Sequence, residues 1–473
     1  MTLLGAVLLL SGCISLSKYE RPEQDLPAQY PTTDAAATPT PITERWWALF
    51  NDATLDKLID EALTHNADLA VAVARVAEAR GLAGVADADL FPAIDATLQR
   101  DRTRLSAIGG TPLPPGTPLI NNNTRATLNV SYELDLFGRL RGAAKAARAQ
   151  VLATHAAAAT VRIGVTAQVA QAYFALIALD SQVDAARRSL ALRERDLELQ
   201  NVRHRAGLIG DYQLRQQEAE VAAARAQVPA LERDRSAQEL SLAVLLGRSP
   251  RAIMSEAIER GGDTDALPPP VVPDGLPSEL LLRRPDLYET EQRLIAANAQ
   301  IGVARAAYFP RIPLTGYIGS ESAALADLFT GPARIWQVTA ALTQPLFQGG
   351  RLRGEAEAAR AREQQALAQY QKSIQNAFRE VRQALITQDR AREIYQAEGD
   401  RIKALEETLR LARIRYDNGL ASQLEAMDAE RNLLQAQLNR IAALRDRRIA
   451  VTDVIRAMGG GWAGPMPAGA KSP

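Results

Sequence analysis

The chain has 473 residues, 47% of them hydrophobic and 23% charged, and its 55 Lys and Arg balance 55 Asp and Glu to a formal net charge of zero. That length admits two or three globular domains, and the absence of net positive charge removes the electrostatic footprint of a nucleic-acid binder. No window holds the 18 or so consecutive apolar residues of a spanning helix, so a membrane role has to use strands or a lipid.

Leu3 to Leu10 form a short apolar run ending in Leu10-Ser11-Gly12-Cys13, and Cys13 is the only cysteine. The arrangement resembles a bacterial lipobox, which implies a signal peptide over residues 1–12 and a mature N-terminus at Cys13 carrying diacylglycerol and an N-acyl chain. Neither Met1 nor Thr2 supplies the basic start usual in an export signal. Ile14 follows the cysteine where lipoproteins kept at the inner membrane usually have Asp, so the resemblance points to outer-membrane sorting. Residues 13–45, rich in Pro, Thr and Ala, read as an extended lipid-anchored tether.

Trp46-Trp47-Ala48-Leu49-Phe50 breaks the polar run. Leu55, Leu58, Ile59, Ala62, Leu69, Val73 and Val76, spaced mostly by three and four, predict one helix from Asp52 to about Leu90, stopped by Phe91-Pro92. A hairpin over about 93–137 follows. From Arg125 to Phe137 the even positions are Ala126, Leu128, Val130, Tyr132, Leu134 and Leu136, while the odd ones are polar and include Glu133 and Asp135. In a soluble sandwich such alternation separates core from water; in an outer-membrane barrel it separates lipid from a wet lumen. From Arg139 to about Ala206 there is no proline, so the chain reads as one helix of roughly 100 Å at 1.5 Å per residue. Gly207 ends it, and a return helix covers about 211–246, with a kink expected at Pro229. Residues 248–276, with Pro268-Pro269-Pro270, read as a linker packed outside the helices.

The same order then repeats. A helix over about 277–308 leads to Phe309-Pro310, a hairpin over about 311–347, a proline-free helix over 351–418 ending at Gly419, and a return helix over 423–458 before a tail over 460–473. Phe91-Pro92 answers Phe309-Pro310 at an offset of 218, and Gly207-Leu208 answers Gly419-Leu420 at 212. The chain reads as an internal tandem duplication in which the six-residue change of offset, between Pro92 and Arg139, marks a loop insertion between two strands. Each copy holds two strands. Four strands cannot close a barrel, and lipid tolerates no open edge, so strands in a membrane have to be pooled among several chains.

The Trp-Trp segment, Arg283-Arg284-Pro285-Asp286, both Phe-Pro pairs, Leu136-Phe137 and Leu346-Phe347, and Arg415-Tyr416-Asp417-Asn418-Gly419-Leu420 resemble in order and duplication the trimeric outer-membrane factors of bacterial efflux and type I secretion, in the lipoprotein branch tied to drug efflux. The resemblance runs from Trp46 to Gly459 and implies an α+β membrane protein. In it, a trimer closes a twelve-stranded β-barrel, four strands per chain, and continues it as an α-helical coiled-coil tunnel. It implies a homotrimer working with a periplasmic membrane-fusion adaptor and an inner-membrane pump, of the resistance-nodulation-division type or similar, with no enzymatic activity and no cofactor beyond the lipid.

By the same resemblance the turns at Gly207 and Gly419 are hinges of the periplasmic tip, and Glu425 and Asp428 ring its aperture. Tyr416 matches a tyrosine that locks the closed state; the arginine expected beside it is Ala421 here. Glu133 and Asp135 are expected on the lumen-facing side of their strand. His65, His155 and His204 lie far apart without companions at ligand spacing, so no metal site is expected. A type I secretion outlet is the rival within transport, and a periplasmic coiled-coil scaffold lipoprotein is the rival outside it.

Overall fold

The computed structural model describes residues 19–23, 43–108, 110, 114–255, 257–261 and 284–464. Cys13, most of the tether, residues 262–283 and the tail from 465 lie outside the described residues.

In chain order the elements are α1 (Ala53–His65), α2 (Ala67–Ala88), β1 (Ala93–Arg104), β2 (Ile120–Glu133), α3 (Arg139–Arg205), α4 (Asp211–Leu245), α5 (Pro250–Ser255), α6 (Pro285–Ala306), β3 (Pro313–Ser322), β4 (Arg334–Ala340), α7 (Arg351–Asp417) and α8 (Gln423–Ala457). Helices α3 and α7 have 67 residues each, α4 and α8 have 35 each, and α2 and α6 have 22 each. The chain divides into two compact units, one within 1–23, 76–154 and 290–370, the other within 24–75, 155–289 and 371–473.

The first unit contains the sheet. Its order is β1-β2-β3-β4 with every pair antiparallel, so β1 and β4 are edges. The register joins Leu98 to Ala126, Leu128 to Ile318 and Ile318 to Trp336, which places the even-numbered apolar residues on one continuous face. Gly319 permits the close pairing of β2 and β3: a Cβ there would collide with the Ala126 carbonyl oxygen and stand 2.8 Å from the Thr127 Cα. Strand β2 starts earlier and stops earlier than its alternation predicts. Asn121, Asn122 and Asn123 pair with Thr103, Arg102 and Asp101 despite low strand propensity, and pairing with β3 ends at Glu133. Asp135 therefore lies beyond the strand, which corrects its assignment to a strand face. Below the sheet, alanines let helices approach closely; Ala144, Ala153, Ala299 and Ala359 are buried. Phe137 stacks on Phe309 with centroids 4.8 Å apart. Arg21 grips the buried Glu291 through two bonds of 2.7 and 2.6 Å and fastens the segment 19–23 to this unit.

The second unit packs around Trp46, Trp47, Leu55, Ile59, Tyr173 and Leu242, all fully buried. Asp52 caps α1 by accepting from the Thr54 and Leu55 amides, and its second oxygen takes the Tyr173 hydroxyl at 2.8 Å. Burial, then the neighbouring Asp52 carboxylate, pushes the Tyr173 phenol above its ordinary range. The helix predicted over 52–90 is two helices. Asn66 is extended, its carbonyl-type side-chain oxygen caps α2 through the amides of Asp68 and Leu69, and its amide nitrogen donates to the Leu245 carbonyl. In the second half the helix is described over Pro285–Ala306, the predicted start at 277 lying outside the described residues, and α4 runs on through Pro229. Arg284, 7% exposed, donates to Asp286, Glu380 and the Ala457 carbonyl, tying the start of α6 to α7 and α8. Residues 248–261 pack on α3 and α4 through buried Ile258 and through Arg260, which pairs with Asp180 and Glu239. The Arg260 hydrogen bond holds the Glu239 carboxyl below the usual range. Helix α3 is long and apolar enough to cross a membrane, yet 56% of its most apolar window is buried inside the protein.

Candidate functional site

The turns α3–α4 and α7–α8 are built alike. Gly207 and Gly419 have φ of 71° and 72°, a left-handed conformation that glycine adopts without steric cost. At each turn the glycine amide reaches back three residues, to His204 or Tyr416, and the next leucine amide reaches back five, to Arg203 or Arg415. These bonds satisfy the carbonyls at the helix end and fix a sharp reversal.

The two turns also hold each other. Tyr416, half-buried, accepts a hydrogen bond from Arg203 Nη1 at 2.8 Å and a longer one from Gln200 Nε2 at 3.4 Å, and the Arg203 guanidinium lies 5.7 Å from its ring centroid. Gln423, the first residue of α8, donates to Gln217 of α4 at 3.2 Å. Arg203 thus does two jobs: its carbonyl closes the first turn and its side chain clasps the second helix pair. The place of the expected arginine at Ala421 is taken by a residue 213 positions away from Tyr416. Arg203, Gln200, Gln217 and Gln423 are contacts that no local motif signals.

Glu425 and Asp428 sit in the first turns of α8. Glu425 is 3.8 Å from Arg415, while Asp428 pairs with Arg431 and accepts from Asn432 Nδ2 at 3.1 Å. Both carboxylates are about half exposed. On α4 the equivalent Gln213 instead accepts from the Gly210 amide at 2.8 Å. Glu133 closes β2 and forms a two-bond pair with Arg139, at 3.0 and 2.8 Å. Asp135 accepts from the backbone and side chain of Arg141. The two carboxylates pin the strand to the start of α3. Among the described residues no group of three His, Cys, Asp or Glu is placed to hold a metal ion.

The sheet has an inverted surface. Ile94, Leu98, Leu128, Ile318, Trp336 and Val338, all on the even-numbered face, are 51 to 79% exposed. The other face carries polar contacts: Asn129 donates to Thr97 Oγ1 at 2.9 Å, Asn123 to Glu321 at 2.7 Å, and Arg125 stacks 4.3 Å from the Tyr317 centroid. An exposed apolar face opposite a hydrogen-bonded polar one is the alternation expected of a strand that faces lipid on one side.

The sequence profile of the outer membrane efflux proteins matches residues 58–248 and 276–460. The chain belongs to the outer membrane efflux protein family. Among family relatives, it is 32% identical over 463 residues to a probable outer membrane lipoprotein, SilC, of Salmonella typhimurium, spanning 97% of this chain and 98% of that one. It is 35% identical over 459 residues to the outer membrane protein OprJ of Pseudomonas aeruginosa, spanning 96% and 94%. Its fold matches the CmeC outer membrane channel of Campylobacter jejuni with a TM-score of 0.90 at 25% identity over 95% of both chains. CusC matches with a TM-score of 0.83 at 30% identity over 94% of this chain and 99% of that one. As a member of the family, the chain is an outer-membrane channel component of an efflux system, with a helical periplasmic portion.

Proposed function

We propose that three copies of this chain pool their sheets into one closed twelve-stranded barrel and form a passive export duct for small molecules. The observation that carries this reading is the four-stranded sheet with two open edges and an exposed apolar face. Neither edge is compatible with hydrocarbon, and joining β1 of one copy to β4 of the next removes both. A periplasmic coiled-coil scaffold would have no use for that face, and it would expose a large apolar patch to water. The equal lengths of the paired helices favour an internal tandem duplication.

Export energy comes from an inner-membrane pump joined through a periplasmic adaptor, and the duct itself performs no chemistry. Cys13 carries the lipid that adds an anchor to the barrel. The tips around Gly207 and Gly419 form the periplasmic aperture, held shut by Arg203 on Tyr416, with Glu425 and Asp428 contributed by each copy as a cation-favouring ring. Glu133 and Asp135 stand at the barrel-to-helix junction, on the lumen side, as ion pairs with Arg139 and Arg141.

Planar-bilayer conductance of the detergent-purified protein, with native mass measured alongside, tests the reading. A trimer with small, cation-preferring conductance is expected. A monomer or water-soluble oligomer without conductance refutes the pooled barrel.

A further inference from the structure

The two helical hairpins α3–α4 and α7–α8 superpose in sequence at a constant offset of 212, so each position in the first has a partner in the second. In the first hairpin two ion pairs bridge the helices: Arg187 with Glu232, and Arg225 with Glu194 at 2.6 Å. Their counterparts are Gly399 with Leu444, and Gln437 with Glu406. Both bridges have been dismantled in the second hairpin. A cleft of about 420 Å³ opens where they would stand, lined by Gln437, Leu444 and Glu406 together with Arg188 of α3 and Tyr395, Ile402 and Arg440.

The cleft has a distinct chemistry. Its floor is apolar, since Ile402 and Leu444 are at most 9% exposed. Its walls are cationic. The Arg440 guanidinium lies 5.3 Å from the Tyr395 ring centroid and donates weakly to the Tyr395 hydroxyl at 3.4 Å, and Arg447 stands over the same ring at 5.5 Å. Among the described residues Arg188, Arg440 and Arg447 have no carboxylate partner. Most arginines of α3, α4, α7 and α8 instead pair with Asp or Glu. Gly399 leaves room for the Arg440 side chain, whose Nε would be 4.0 Å from a Cβ there. The volume is within the range of small-molecule sites, about 300 to 1,000 Å³.

We infer that this cleft binds a small amphipathic organic anion, an aromatic carboxylate or sulfonate. Its ring lies over Ile402 and Leu444 beside Tyr395, and its acid group bridges Arg188 and Arg440. Guanidinium forks match the two oxygens of a carboxylate, and the single Glu406 leaves the lining net positive and rejects a dianion at the far end. The first hairpin instead carries bridging ion pairs at the equivalent positions.

The probe is 2-naphthoate, titrated calorimetrically into the full detergent-solubilised protein, with neutral 2-naphthamide as comparison to separate binding from micelle partitioning. Naphthoate is expected to bind more tightly than naphthamide by about tenfold or more, the scale of one charge-assisted hydrogen bond. Arg188→Gln with Arg440→Gln should abolish that preference. Gln437→Arg, which rebuilds the bridge to Glu406 as Arg225 does to Glu194, should close the cleft and remove binding while leaving the helical circular dichroism unchanged. Equal binding of acid and amide, a preference that survives the double arginine variant, or no binding because a second copy covers the cleft would each overturn the inference.

Discussion

Replacing the Tyr416 hydroxyl with hydrogen is the sharpest perturbation available at the tip. Tyr416→Phe keeps the ring, and with it the contact to the Arg203 guanidinium 5.7 Å from its centroid, but deletes the acceptor of the 2.8 Å bond from Arg203 and the 3.4 Å bond from Gln200. A hydrogen bond from a charged donor to a half-buried hydroxyl contributes about 1–2 kcal/mol after solvent exchange, and the 3.4 Å bond adds little. If three copies must release together, the closed state loses about 3–6 kcal/mol, which shifts an opening equilibrium by roughly two to four powers of ten. Single-channel recording of the variant should therefore show longer or larger openings than the parent, with Arg203→Ala behaving alike and adding little when combined with it. Tyr212→Phe, at a side chain 78% exposed, is the control and should change nothing. Unchanged conductance in both Tyr416→Phe and Arg203→Ala would refute the idea that this contact bears on closure.

Other outcomes follow from the same structure. Glu425→Gln with Asp428→Asn should move the cation-to-anion permeability ratio toward one, measured as a reversal potential under a salt gradient; an unchanged ratio removes these carboxylates from the ion path. Arg284→Met removes the buried guanidinium that Asp286 and Glu380 share and leaves the Ala457 carbonyl without its donor, so the folded helices should be destabilised by about 2–4 kcal/mol, read as a lower thermal midpoint. Burial, and then Glu430, raise the pKa of Asp196, because the Arg413 that would relieve it is engaged by Glu430 at 2.6 Å. A carboxyl whose folded pKa is raised destabilises as pH climbs through the interval above its unfolded value. Asp196→Asn should accordingly raise the midpoint at pH 7, and the gain should vanish as the pH falls below about 4, where the carboxyl is protonated in both states.

Much of this architecture is legible because the chain punctuates itself. The long helices run between glycines and carry no proline, and they end where Gly207 and Gly419 supply the positive φ that the reversal needs. The break at Asn66 was equally accessible: its counterpart at the offset of 218 is Arg284, directly before Pro285, a residue that starts helices readily. Strand faces follow from alternation, whereas strand ends do not. Asn121 to Asn123 join β2 because their backbone groups find partners in β1, an energy that no side chain advertises. The clasp at the tip is the least legible feature. Arg203 meets Tyr416, and Gln217 meets Gln423, across more than 200 positions of chain, and only the packing of one helical hairpin on another brings them together.

The matched helix lengths set where this chain can change size. A residue added within α3 or α7 would turn everything beyond it by about 100° and swing the buried alanine seam toward solvent, whereas seven added residues would complete nearly two turns and restore the seam within about 20°. The β-hairpins, strands and loops together, obey no such arithmetic. Six more residues separate Pro92 from Arg139 than Pro310 from Arg351, and that difference leaves the helices on either side equal in length. Growth and loss fall within the strands and loops of the sheet, and the helical pairs behave as a fixed ruler.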